Sequence, residues 1–439
     1  MTVLQALAVL NLVTIALAFA ELRPSTFIIA ANLALVCLSM QDIASFGRPP
    51  AQSFVPESVF AAESIQCAIW VLAIPSVIAF VTALIPYSQR TPSSEFPKLP
   101  KQLLWGAYIY FGAYTLSMKT IFETSYAASD QIVFNLNLGG ANALIFSIFI
   151  YEIARRSMQR PERSMLYFVT VTLVVAATQL FKGATGLAAG NLITASFLIF
   201  SSKPKWTRAV LLASTILAST LAAYTVRGVR TQVSDIGSAA VSELYAQTIS
   251  SGDGPWASGP LSRLQSVGNA VQSATHVLEC VSLYNSGISR EWRSTYAPIV
   301  YTFEPSFLLN VFDLTRPKEA AWELFEYFVH GGGINTFGEF YWNGGFLCVV
   351  VMSGLTLWFA YLCDTRFRDD YRWLMLQCCF APGLLMGLGY GFAQVSRGFF
   401  NGLIAILAIA LLNKRVRVRL VPTRPANSRM SKTNEAAAP

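Results

Sequence analysis

The sequence predicts an all-α fold of the membrane kind: a polytopic helical bundle of about eleven spans, with one large polar loop between the eighth and the ninth. Three observations lead there. Of 439 residues, 54% are apolar and 13% charged, against roughly 25% charged in an ordinary soluble domain. Nearly uncharged stretches of about 17 residues or more recur along the chain, the length that crosses a hydrocarbon core about 30 Å thick. Lys and Arg gather in alternate connections, as the positive-inside bias requires of a chain that weaves through a bilayer.

The spans read as 2–20, 25–41, 59–85, 102–118, 132–152, 165–181, 184–201, 207–225, 341–363, 373–391 and 398–413. The first ends in Ala18-Phe19-Ala20, which has the look of a signal cleavage site. Nothing before Glu21 is charged, however, and a secretory signal carries a basic leader, so this stretch is expected to remain as a helix. Arg155, Arg156, Arg160 and Arg163 crowd one short connection, Lys203, Lys205 and Arg208 another, and Arg366, Arg368 and Arg372 a third. Lys414, Arg415, Arg417 and Arg419 follow the last span. With eleven crossings all of these share one side, which is then the cytoplasm, and the amino terminus lies outside.

Four regions follow: a membrane bundle over 1–225, an outer loop over 226–340, closing membrane helices over 341–413, and a disordered cytoplasmic tail over 414–439. The tail is polar and rich in Ser, Asn, Pro and Ala beyond Pro422. The outer loop is acidic on balance, so the formal net charge of +8 reflects topology and gives no case for nucleic acid binding. Its apolar patches Tyr296–Phe303, Phe307–Phe312 and Trp322–Val329 suggest short helices packed over the membrane mouth.

Several chemistries find no support. Cys37, Cys67, Cys348, Cys363, Cys378 and Cys379 fall in spans and Cys280 is alone in the outer loop, which makes no disulfide framework. His276 and His330 are too few for a histidine metal centre; His276 and Glu279 share a helical face, but two ligands do not make a site. His276 is expected to be a partly buried loop residue. No phosphate-binding loop or dinucleotide fingerprint occurs, and no cofactor or metal is expected.

The polar feature that stands out is the approach to the ninth span, Gly331-Gly332-Gly333-Ile334-Asn335-Thr336-Phe337-Gly338-Glu339-Phe340-Tyr341-Trp342-Asn343-Gly344-Gly345. Glycines let backbone pack closely, and Glu339 stands where an unpaired charge entering lipid is costly. The segment Gly332–Gly345 resembles the signature of bacterial Wzy-type O-antigen polymerases, which carry a Gly-rich, Thr-Gly-Glu-Tyr-like approach to a Gly-containing span. Asn285-Ser286-Gly287 through Tyr296-Ala297-Pro298 to Arg316-Pro317-Lys318 is similar to that family's Gly/Ser–aromatic–Pro run. Lys182-Gly183-Ala184-Thr185-Gly186 resembles its Lys-Gly-Ser-Arg-like loop, with Thr185 where an arginine is expected.

The resemblance implies a metal-independent, GT-C-like membrane glycosyltransferase in the bacterial inner membrane. Its donor and acceptor would be undecaprenyl-diphosphate-linked oligosaccharides, with a flippase and a chain-length regulator as partners. Such a reaction needs a cation for the leaving diphosphate, a role suited to the bidentate guanidinium. Arginines on the outer side run against the positive-inside bias, so Arg263 and Arg397 (in the short outer turn before the last span) lead as substrate-binding candidates. Arg227, Arg230, Arg293 and Lys182 follow, with Tyr341 and Asn343 beside the signature carboxylate. A base must take the proton of the attacking hydroxyl, and Glu339 is preferred for it over His330. An O-antigen ligase, a lipid-linked sugar transporter and a structural export subunit stay open as alternatives.

Overall fold

A computed structural model of the chain describes residues 2–49, 55–86, 96–117, 139–180, 185–233, 270–290, 320–328 and 333–420. Among these residues the regular structure is helical, apart from one bridge in which Ile334 N–H donates to the Gly389 carbonyl. Six helical stretches are long and apolar enough to cross a membrane: Val3–Glu21, Pro24–Phe46, Ala62–Leu84, Pro161–Leu180, Thr336–Arg366 and Phe392–Leu411. The chain is therefore all-helical with the apolar helices of a membrane protein.

The amino-terminal helices are α1 (Val3–Glu21), α2 (Pro24–Phe46) and α3 (Ala62–Leu84), packed on one another. Left-handed Leu22 stops α1, and Pro24 opens α2 at a position where its missing N–H costs nothing. There follow α4 (Lys101–Ser117), α5 (Gly139–Gln159), α6 (Ser164–Val175) continued by a π-turn (Ala176–Leu180), α7 (Thr185–Ile199) and α8 (Lys205–Val233). Two helices come from the predicted outer loop, α9 (Ala270–Asn285) and α10 (Ala320–Tyr327). The chain closes with α11 (Thr336–Arg366), α12 (Tyr371–Tyr390) and α13 (Phe392–Leu420). Helix α12 is central, packing on α2, α5, α7, α11 and α13. It meets α13 through glycines: a Cβ on Gly383 would lie 3.0 Å from the Gly398 Cα. Small residues let the two backbones touch where dispersion, not hydrophobicity, drives association.

Polar contacts sort the helix termini into two ends. At one, buried Arg23 donates to the Thr82 carbonyl (2.8 Å) and the Ile85 carbonyl (2.7 Å) and pairs with Glu21, closing the open end of α3. Asp364 of α11 accepts from the first-turn amides of Ser25 and Thr26, each at 2.9 Å, and so caps α2 from another helix. Arg368 donates to the Ser201 carbonyl and Ser157 to the Ile199 carbonyl. The opposite end gathers the start of α3, the end of α9, the start of α11 and the α12–α13 corner.

Several expected boundaries move. Helix α8 runs past 225 to Val233, α11 begins at Thr336 rather than 341, and α13 covers 392–420, so the predicted tail from 414 begins as helix. Arg397 therefore lies on the second turn of α13 and not in a connecting turn. Gly391 alone, at φ +93°, separates α12 from α13. The apolar patch beginning at Trp322 does form a short helix, α10; the patches at 296–303 and 307–312 lie outside the described residues. Helix α9 packs among α2, α3 and α11, with eleven of its residues buried. His276 on it is only 2% exposed, a core residue of a helix instead of a half-buried loop one.

Candidate functional site

The approach to α11 folds into the polar centre of the second end. Asn335 caps the helix, its Oδ1 accepting from the amides of Phe337 (2.9 Å) and Gly338 (3.2 Å). Its Nδ2 donates to Ser273 Oγ on α9 at 2.7 Å, and Thr336 Oγ1 donates to the Gly387 carbonyl on α12 at 2.5 Å. One cap thus fastens three helices. Gly338 is where α9 crosses: a Cβ there would stand 3.0 Å from the Val277 Cα, so only glycine lets the helices approach this closely.

Glu339, one turn on, is 2% exposed. Its Oε1 accepts from Arg290 Nη1 at 2.9 Å, and its Oε2 from the Phe392 amide, the first residue of α13, at 2.7 Å. Arg290 also pairs through Nε with Glu323 of α10. One buried guanidinium is thereby held by two carboxylates from two helices, and one of those carboxylates also anchors a third helix. Removing a partner from a buried pair leaves an uncompensated charge, at a cost of about 3–5 kcal/mol. Gly391 closes the centre from below: a Cβ there would meet Glu339 Oε2 at 2.8 Å and Ile334 Cγ2 at 2.7 Å.

The next turn carries the aromatic side of the site. Tyr341 donates to Asn285 Oδ1 and accepts from Cys67 Sγ of α3, both at 3.1 Å. Trp342, fully buried, donates to the Ile288 carbonyl at 2.9 Å, while its own carbonyl accepts from the Arg290 amide. These two bonds fix the backbone that carries Arg290. Asn343 Oδ1 is buried without a hydrogen-bond partner among the described residues. At Gly344 and Gly345 the helix breaks; Gly345 takes φ +64°, and a Cβ there would be 2.8 Å from the Tyr284 hydroxyl.

Glu339, Tyr341 and Asn343 are thus brought together on α11, and Arg397 stands one turn along α13 from Phe392. Lys182, Arg263, Arg293 and His330 lie outside the described residues. Arg227 and Arg230 are on α8, with only their backbone described. The arginine that pairs with Glu339 is Arg290, which the sequence marks only as one basic residue among seven in the loop. The pairing spans 49 positions, and no local pattern encodes it.

A second carboxylate is buried on α9. Glu279 is fully buried and neither oxygen has a hydrogen-bond partner among the described residues. Burial raises its pKa to about 8. Among the described residues, no cluster of three or more His, Cys, Asp and Glu side chains forms that could hold a metal ion. Comparison with family models, characterised proteins and solved structures gives no match, so the site is read from its geometry and the sequence resemblance.

Proposed function

We propose that this chain is a polytopic membrane glycosyltransferase that polymerises undecaprenyl-diphosphate-linked oligosaccharide repeat units at the outer face of a bacterial inner membrane. The eleven crossings, the outward amino terminus, the GT-C-like assignment and a flippase and chain-length regulator as partners belong to the same proposal. One observation carries it: the segment that resembles the polymerase signature, Gly332–Gly345, is the segment that assembles the buried charged centre at the end where the outer loop joins the bundle. A hinge would not draw a buried arginine and three helices onto one carboxylate.

In the reaction, a sugar hydroxyl of the acceptor attacks the anomeric carbon of the donor glycan. The bond from that carbon to the diphosphate breaks, and the diphosphate leaves with the electron pair. The hydroxyl proton passes to a base. Both oxygens of Glu339 are engaged, by Arg290 and by the Phe392 amide. It therefore serves as a positioning residue that orients Arg290 and the start of α13, and His330 becomes the preferred base. Arg397 and Arg263 remain the leading cations for the diphosphate.

The test is the glycan pattern after deletion of the gene, followed by return of the wild-type chain. A polymerase deletion leaves a single repeat on the acceptor and loses the ladder. Loss of every repeat from the lipid core would mean a ligase, and accumulation of inward-facing precursor a flippase.

A further inference from the structure

Beside the charged centre, α3 and α11 run in the same direction. Cys67 meets Tyr341 near their starts, while Arg23 touches both Thr82 and the ring of Tyr361 near their ends. Between their first turns is an open surface groove of about 460 Å³, lined by Ala62, Glu63, Gln66, Cys67, Trp70 and Phe346. Phe346, the first residue after the break at Gly344 and Gly345, lines it at 41% exposure together with Trp70 at 57%. Exposed apolar side chains follow on both helices: Val77 and Val81 on α3, Val350 and Val351 on α11. The groove's upper rim is polar and its lower wall apolar, the profile of an amphiphile lying along the bundle.

The chemistry of the rim selects the amphiphile. Among the described residues, Glu63 is the one carboxylate in the lining and has no ion-pair partner, and no Lys or Arg lines the groove. A head with net negative charge would meet repulsion from Glu63 and no counter-charge among the described residues, whereas a zwitterion with an ammonium would not. A primary ammonium would meet the carboxylate of Glu63 and the amide oxygen of Gln66, one turn below on the same face, and it has three donors to offer them.

We propose that this groove binds a membrane lipid whose headgroup carries a primary ammonium, the ammonium against Glu63 and Gln66 and the chain along Trp70 and Phe346. The site rests on the chain crossing a bilayer and not on the glycosyl-transfer reading. Its inner wall is Cys67, bonded to Tyr341, so an occupant also braces the aromatic side of the charged centre through Tyr284–Tyr341–Phe346, whose ring centroids are 4.9 and 5.0 Å apart.

Cys67 provides the readout. The full chain in detergent is treated with N-ethylmaleimide, alone and with micelles containing phosphatidylethanolamine or phosphatidylglycerol, and Cys67 labelling is followed by peptide mass spectrometry. Phosphatidylethanolamine is expected to slow labelling roughly fivefold, the scale of one ion pair at a solvent edge, and phosphatidylglycerol to leave it unchanged. Glu63→Gln should abolish that protection while its lipid-free labelling rate stays within twofold. Buried Cys363, Cys378 and Cys379 should resist labelling throughout, which certifies the fold. Equal protection by both lipids, protection that survives Glu63→Gln, or a Cys67 that never reacts in the absence of lipid would each overturn the proposal.

Discussion

Glu339 stands where the sequence suggests a base, and in the fold both of its oxygens are engaged. Three groups converge on it: Arg290, the Phe392 amide and, by close approach, Gly391. Glu339→Gln keeps an oxygen for the Phe392 amide but presents Arg290 with a neutral group. We expect a loss of about 2–4 kcal/mol in stability, softened because Glu323 still holds the arginine. Activity should fall without a change in its pH profile, whereas a base would alter the profile and spare thermal stability. Glu279 leads to a prediction of opposite character. Its folded pKa, about 8, lies above the ordinary carboxylate value, so between roughly pH 4.5 and 8 the folded chain holds a proton that the unfolded chain has lost. Stability therefore falls as pH rises through that window and levels off above it. Glu279→Gln should flatten this slope, read as the difference in thermal unfolding between the two proteins from pH 5 to 8. An identical pH dependence in both would remove Glu279 as its source. Glu339 was legible as a costly carboxylate on its glycine-rich approach; Arg290 and Glu279 were not. Their significance comes from partners brought in, or withheld, by tertiary packing.

At the scale of elements, the apolar runs announced their helices well and the polar edges poorly. Spans 2–20 and 59–85 coincide closely with α1 and α3, because long uncharged runs leave little freedom in how they are satisfied in lipid. The start of α11 was read five residues late: Thr336, Glu339 and Asn335 look like loop residues until Asn335 is seen to cap the helix and the others to bond across it. The sequence puts His276 and Glu279 of α9 on one helical face, but their polarity, with that of Ser273 and Thr275, conceals that the helix is buried. The α12–α13 corner makes the sharpest test of how elements hold the site. Gly391→Ala places a Cβ against Glu339 and Ile334 at a positive φ, so it is expected to cost more than about 1 kcal/mol and to reduce activity. Gly47, the residue after α2, also has a positive φ (+76°), but open space surrounds it. Gly47→Ala should carry only the backbone strain, and activity should be retained. Equal effects of the two substitutions on activity would show that Gly391 acts through its backbone alone and not through the carboxylate.

At the scale of the whole molecule, the polar contacts at the helix ends fall into two groups. Arg23, Arg155 and Arg368 lie at one end, and the Glu339 centre at the other. A reporter active only outside the cytoplasm should be active when fused after Pro255 or Asn285 and silent after Arg160 or Arg415. A silent fusion at Asn285 would reverse the orientation and put the charged centre on the wrong side for lipid-linked glycan. The proposal that the chain joins sugars is legible only through the resemblance of Gly332–Gly345, while the charged centre gathers Arg290 with groups of α10, α11 and α13 that no single segment contains. The most direct measurement is made on the purified chain in liposomes, supplied with undecaprenyl-diphosphate-linked repeat units and no nucleotide or metal. The account predicts a ladder of lipid-linked products extended by whole repeats with release of undecaprenyl diphosphate, and its loss when both Arg263 and Arg397 are replaced by alanine. Unextended substrate after incubation with folded wild-type chain, or an undiminished ladder from the double variant, would contradict it.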